Sequence, residues 1–250
     1  MKVINKNRFE KLPSAVFMDI DDTLYPYEPA HNKAISAVRD LVSSEFEIAE
    51  ENFDLVFNAA RNEVKSILNG SPSGRNRVLY FQRMFELIGV GSAPLKALNC
   101  EQTYWNTLLS EAKLFDGVTS FLEELRLNGI TILAVTNLTA QIQFRKLVYF
   151  NLHDAFDFIV TSEQVGFEKP DKRIFETALS HINCSGEDVW MIGDDLQCDI
   201  EGAKSAINAT TLFKCSGNGV NYSTLDAIDA RFSQFDKLTL MLQKINDDLV

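Results

Sequence analysis

A chain of 250 residues, 46% hydrophobic and 24% charged, holds enough apolar material for one large domain or a core carrying a smaller insertion, and excludes wholesale disorder. Its 24 Lys and Arg against 35 Asp and Glu leave a net charge of −11, which repels phosphate backbones and anionic bilayers and excludes general nucleic-acid binding. No apolar run approaches the ~18 residues of a membrane span and no apolar leader precedes Pro13, so the expected partners include no membrane and the expected compartment is cytoplasmic.

Ala15-Val16-Phe17-Met18 is a short apolar run that ends in a burst of acid, Asp19-Ile20-Asp21-Asp22-Thr23. A buried parallel strand looks like this when its C-terminal end carries a site. Residues 27–113 follow, too long for a crossover helix and without a convincing strand. Helical stripes run through them: Ile35, Val38, Leu41, Val42; then Phe53, Val56, Phe57, Ala60, Val64, Ile67; then Val78, Phe81, Met84, Phe85, Ile88. This stretch is predicted to be an inserted helical cap, and the core domain to be residues 1–26 with 114–250.

The second half alternates. Val118, Phe121, Leu122 and Leu125 have helical spacing, as do Ile174, Phe175, Ala178, Leu179 and Ile182, while Ile130–Val135, Phe156–Val160, Val189–Ile192 and Thr210–Phe213 read as strands. Strand and helix in alternation predict an α/β fold: a Rossmann-like parallel sheet with helices on both faces. The cysteines Cys100, Cys184, Cys198 and Cys215 form no CxxC pair, and with His31, His153 and His181 as the only histidines a zinc site has little to work with. All seven are assigned to packing or surface, the cysteines as reduced thiols.

In an open parallel sheet, ligands bind outside the carboxyl ends of the strands. Polar residues follow the strands in order: Asp19-Ile20-Asp21-Asp22-Thr23, Thr136-Asn137, Glu168-Lys169-Pro170, and Gly193-Asp194-Asp195 with Asp199 beyond. Taken singly each has an ordinary reading, as a polar turn, a solvated loop lysine or acids at a helix N-terminus. A calcium loop is excluded, because Leu24 occupies the position that requires glycine and Ala30 the one that requires glutamate.

Together, these motifs resemble the haloacid dehalogenase-like hydrolases, mostly Mg²⁺-dependent phosphatases that pass through an aspartyl-phosphate. The resemblance spans nearly the whole chain, and Thr161–Asp171 is similar to the subgroup whose helical cap lies between the first and second motifs. It implies a metal held by Asp19 and Asp194 with the main-chain carbonyl of Asp21.

The chemistry agrees with that implication. An aspartate is ionised at neutral pH and attacks phosphorus without a base to activate it, so Asp19 is the expected nucleophile. Its approach to a phosphate dianion is repelled unless cations are supplied, which Mg²⁺ and Lys169 would do. Thr136, with Asn137 and Lys169, is expected to bind phosphoryl oxygens. Asp21 is expected to protonate the leaving alkoxide and then deprotonate the attacking water. Asp195 and Asp199 are expected to orient Lys169 or metal-bound waters.

The expected activity is therefore hydrolysis of a small phosphorylated metabolite, a sugar phosphate, a glycolate-like acid ester or a nucleoside monophosphate. A 2-haloacid dehalogenase is the alternative, disfavoured because expelling halide needs neither proton nor metal, whereas Asp21 and Asp194 are both present. A phospho-acceptor switch or a non-catalytic binding module is the other, disfavoured by chain length and by a complete set of reactive side chains. Arg75, Arg77 and Arg83, with Tyr27 and Glu28, are the helical residues weighed as substrate contacts, surface arginine being the plainer reading. Oligomeric state is left open.

Overall fold

The computed structural model describes residues 1–46, 50–215 and 226–247. The chain divides into two compact units, residues 1–25 with 113–250, and residues 26–112.

The first unit is built on a seven-stranded sheet: β1 (Lys2–Val3), β2 (Ala15–Met18), β3 (Thr131–Thr136), β4 (Phe158–Thr161), β5 (Val189–Gly193), β6 (Thr210–Lys214) and β7 (Ala230–Phe232). Their order across the sheet is β1-β7-β6-β5-β2-β3-β4. Only the β1–β7 pair is antiparallel. The five strands expected from sequence are all present and parallel. The short strands β1 and β7, at one side of the sheet, escaped the reading because two or three residues are too few to show a period.

Central strands carry side chains buried on both sides, which is why β2 reads as continuous Ala-Val-Phe-Met rather than as an alternation. Ala15 and Phe17 join Leu133, Val135, Val189 and Met191 in one apolar layer with Ile174, Phe175 and Ala178. Val16, Met18, Ile132, Ala134, Trp190 and Ile192 are equally inaccessible.

In the second unit, α1 (Tyr27–Phe46), α2 (Glu50–Ile67), α3 (Arg77–Leu87) and α4 (Pro94–Glu111) pack in the pairs α1–α4, α2–α3 and α3–α4. The sequence stripes mark the inner faces of the first three, except that Ile67, at the end of α2, is 77% exposed. The fourth helix was not read. It buries Ala97, Cys100, Tyr104, Trp105 and Leu108, a face whose small and hydroxylated members hide its period.

The remaining helices belong to the first unit: α5 (Val118–Leu127), α6 (Ala140–Tyr149), α7 (Ser162–Val165), α8 (Lys172–Ser180), α9 (Gly202–Ile207) and α10 (Asp236–Asp247). α8 packs on β3 and β4, while α5 packs on β3 and against α10. No helix among the described residues is long and apolar enough to cross a membrane.

Candidate active site

Because β2, β3 and β5 are parallel and in register, with Met18 opposite both Ala134 and Ile192, the residues following them leave the same end of the sheet. Asp19 extends the ladder by one bond, its N–H donating to Ile192 O at 3.0 Å, so its carboxylate is fixed at the strand terminus. Lys169 enters from the loop after α7. Its Nζ donates to Asp19 Oδ1 at 2.7 Å, Asp199 Oδ1 at 2.6 Å and Val135 O at 2.7 Å, which uses all three ammonium hydrogens.

Carboxylate oxygens of Asp19, Asp194 and Asp199 lie within 4.8 Å of one another. Asp199 projects from a π-helical segment, Leu196–Glu201, a form of helix found most often at functional sites. The chain can pass this close only because residue 193 is glycine: a Cβ there would stand 2.2 Å from Asp199 Oδ2. Asp194 Oδ1 accepts a hydrogen bond from Thr23 Oγ1 at 3.0 Å.

Such crowding has an electrostatic signature. Burial, then the charges of Asp19, Asp199 and Asp22, push the Asp194 carboxyl up to about 8. Asp199 is also raised, by burial and by Asp19, against the opposing pull of Lys169. Burial alone would favour a neutral Lys169, yet Asp19 and Asp199 outweigh it and hold the ammonium firmly protonated. Clustered carboxylate oxygens that repel one another are the donor set a hard divalent cation satisfies, so these residues fit the metal expected from the sequence.

Asp21 is held apart from that cluster. Its Oδ1 and Oδ2 accept from Lys146 Nζ at 2.6 and 2.7 Å, Oδ1 also accepts from the Tyr25 hydroxyl, and Oδ2 from Gln143 Nε2 at 3.2 Å. Burial works to raise this carboxyl, but the Lys146 charge and the hydrogen bonds from Lys146, Tyr25 and Gln143 prevail, leaving it below the ordinary aspartate range.

Thr136 ends β3 fully buried, its Oγ1 accepting from Gln143 Nε2 at 2.7 Å, a bond that does not use the hydroxyl's own hydrogen. Asn137, expected at a phosphoryl oxygen, is occupied otherwise: Oδ1 accepts from Lys169 N at 2.7 Å and Nδ2 donates to Lys169 O at 3.1 Å. Its side chain positions the lysine loop. Asp195, expected to orient Lys169 or metal-bound water, is exposed, and its Oδ1 accepts from the N–H groups of Gln197 and Cys198. The N-terminus of the segment it caps has unpaired donors that a carboxylate satisfies, which is the physical reason for these two bonds.

Lys146, Gln143 and Tyr25 were missed, as was Lys214, which ends β6 buried, donates to Asp22 O at 3.1 Å and lies over the Phe115 ring. The signal for the first two was a helical stripe in α6, Ile142, Gln143, Lys146 and Leu147, with polar residues on its buried side. The four cysteines form no disulfide, and burial followed by Asp195 and Asp199 pushes the Cys198 thiol up to about 12, far from a reactive thiolate.

In the helical unit, Arg83 is an ordinary surface arginine, bonded to Glu63 and Glu86 at 2.6 and 3.1 Å. Arg77 is not. Its guanidinium lies over the rings of Tyr80, Tyr104 and Trp105, donates to Tyr27 Oη at 2.7 Å, and has no carboxylate partner among the described residues. His31, expected on the surface or in packing, is half-buried beside Tyr104 Oη at 2.7 Å, and burial with the charges of Arg77 and Arg61 lowers it to about 4.

Acidic residues gathered around a buried lysine at the carboxyl end of a parallel sheet accord with the family comparison: the chain belongs to the haloacid dehalogenase-like hydrolases, whose model matches residues 13–206. It is a hydrolase, and its curated relatives place it beside enzymes of phosphate esters. It is 36% identical over 203 residues, 81% of this chain and 85% of the other, to ribulose-1,5-bisphosphate 5-phosphatase from Halopiger xanaduensis. It is 32% identical over 192 residues, 77% and 81% of the two chains, to glyceraldehyde 3-phosphate phosphatase from Methanothermobacter thermautotrophicus. Among solved structures, 2-haloacid dehalogenase from Pseudomonas syringae pv. Tomato DC3000 superposes with a TM-score of 0.75 at 22% identity, covering 93% of this chain and 99% of that one, a likeness of fold.

Proposed function

We propose that this protein is a Mg²⁺-dependent phosphatase that hydrolyses a small phosphorylated metabolite, a phosphorylated sugar by the pattern of its relatives, through a phosphoryl group carried on Asp19. The observation that supports this most directly is the buried ammonium of Lys169 set between Asp19 and Asp199, with Asp194 crowded against them. Asp19, Asp194 and the main-chain carbonyl of Asp21 are the residues assigned to the metal, with Asp199 beside them. When bound, the cation supplies the positive charge that lets a carboxylate approach a phosphate dianion.

An oxygen of Asp19 forms a bond to phosphorus as the bond from phosphorus to the alcohol oxygen breaks, and Asp21 gives that oxygen a proton. Water then attacks phosphorus, its proton passes to Asp21, and the bond to Asp19 breaks to release inorganic phosphate. Lys169 and the Thr136 hydroxyl bear the charge on the phosphoryl oxygens during both steps. At rest Lys146 keeps Asp21 ionised; a substrate dianion beside it acts in the opposite sense and raises its affinity for the proton it transfers. In this reading the inserted helical unit is the cap that selects the substrate.

The test is release of phosphate from a panel of sugar phosphates, glycolate-like acid esters and nucleoside monophosphates, with Mg²⁺ and with chelator, alongside halide release from a 2-haloacid. Phosphate release that chelation abolishes supports the proposal. Halide release alone, or turnover indifferent to chelation, overturns it.

A further inference from the structure

α6, a helix that the hydrophobic pattern did not reveal, turns two polar residues, Gln143 and Lys146, inward. Lys146 has 1% of its side chain exposed, and burying an ammonium there is costly unless it is closely paired. Its pairing is with both oxygens of Asp21 at once, so the carboxylate plane as well as its position is fixed. One turn earlier on the same face, the Gln143 amide spends its hydrogens on two groups from different strand ends, Thr136 Oγ1 and Asp21 Oδ2. Its own Oε1 is buried without a partner, a cost that packing alone gives no reason to accept. Asp21 nevertheless keeps 28% of its side chain exposed, so these bonds hold it without enclosing it.

We propose that Lys146 and Gln143 are positioning residues for proton transfer: Lys146 fixes the Asp21 carboxylate, and Gln143 fixes its distance from the Thr136 hydroxyl that receives the phosphoryl oxygen. This rests on the acid–base role given to Asp21 above. No atom of Lys146 or Gln143 needs to reach substrate. The bond broken is the one between phosphorus and the leaving oxygen, and the proton delivered to that oxygen is the one carried by Asp21.

The leaving group tests it. A 4-nitrophenolate leaves with little help from a proton, whereas an alkoxide depends on one. In Lys146→Met, kcat for an alkyl or sugar phosphate should fall by about a hundredfold, within the range of general acid catalysis, while kcat for 4-nitrophenyl phosphate falls by less than about tenfold and KM for both is nearly unchanged. Lys146→Arg, which keeps the charge, should recover most of the alkyl rate. Gln143→Leu, which introduces no buried charge, serves where Lys146→Met does not fold, and should discriminate between the two substrates in the same direction.

Equal slowing of both substrates, or no slowing of either, means a structural role and overturns the proposal. Asp21→Asn in the same assay separates the two readings. If it discriminates by leaving group and the α6 variants do not, positioning by α6 fails and the acid–base role of Asp21 stands; if Asp21→Asn does not discriminate, both fail.

Discussion

Asn137 and Lys169 are joined by a two-bond ring, in which the Asn137 amide accepts from the lysine N–H at 2.7 Å and donates to the lysine carbonyl at 3.1 Å. The carboxamide acts as a mould for the backbone that carries the ammonium. Asn137→Leu leaves both lysine groups unpaired in a partly buried loop, at about 1–3 kcal/mol for each unsatisfied group. Urea unfolding should show the loss, and kcat should drop with it, whereas Asn137→Asp, which keeps the acceptor, should lose less of both.

Removing the cation has a harsher result. Lys169→Met leaves the Asp19 and Asp199 carboxylates buried and unbalanced, and breaking a buried pair in this way costs about 3–5 kcal/mol. The denaturant midpoint should fall accordingly and phosphate release should vanish. Asp19→Asn should also abolish phosphate release, but with the fold retained, since an amide does not attack phosphorus.

Mg²⁺ should stabilise the protein independently of turnover, because it neutralises carboxylates that now repel one another. At a hundred times its dissociation constant the gain would be about 2.7 kcal/mol. A thermal melt with and without Mg²⁺ reads this directly, and Asp194→Asn should shrink the shift. A melt that Mg²⁺ leaves unmoved would count against the assignment.

Gly193→Ala tests how tightly Asp199 is packed. The new methyl would lie 2.2 Å from Asp199 Oδ2 and 2.4 Å from its Cβ, so the carboxylate or the strand end must shift. Overpacking of this kind costs about 1–3 kcal/mol. Turnover should decline by more than the stability loss alone explains, since Asp199 is bonded to Lys169.

His31 makes stability depend on pH in a definite direction. Its folded value of about 4 lies below the ordinary histidine value of 6.5, so between those limits the unfolded chain binds a proton that the folded chain refuses. Stability attributable to this residue is intact above pH 6.5 and declines as pH falls towards 4. The urea midpoint of His31→Gln, followed over that interval, should decline less steeply than that of the parent chain.

Much of the site was legible because its chemistry is written in short motifs at strand ends. Asp19, Asp194 and Lys169 converge because parallel strands must deliver their termini to one edge, whatever lies between them in sequence. Gln143 and Lys146 were not legible, because periodicity marks a buried face by its apolar residues and theirs is polar. The main-chain bonds of Asn137 and Asp195 were not legible for a related reason: a polar residue beside a reactive one has main-chain groups within reach, and a motif does not say which of them it will satisfy. The helical stripes located α1, α2 and α3, while α4 was hidden by Ala97, Cys100 and Tyr104, which carry little hydrophobic contrast.

The position of β2 at the middle of the sheet also bears on biosynthesis. Asp19 leaves the ribosome well before the strands on either side of β2, since residues 131–136 and 189–193 emerge after the entire helical unit. A nascent chain must keep the apolar segment Ala15–Met18 unpaired until those strands are made, and pairings between such distant segments are slow to form. Asp19 and Lys169 therefore come together only after the helical unit and β3 have been made, and in that interval the apolar segment is open to association with other chains.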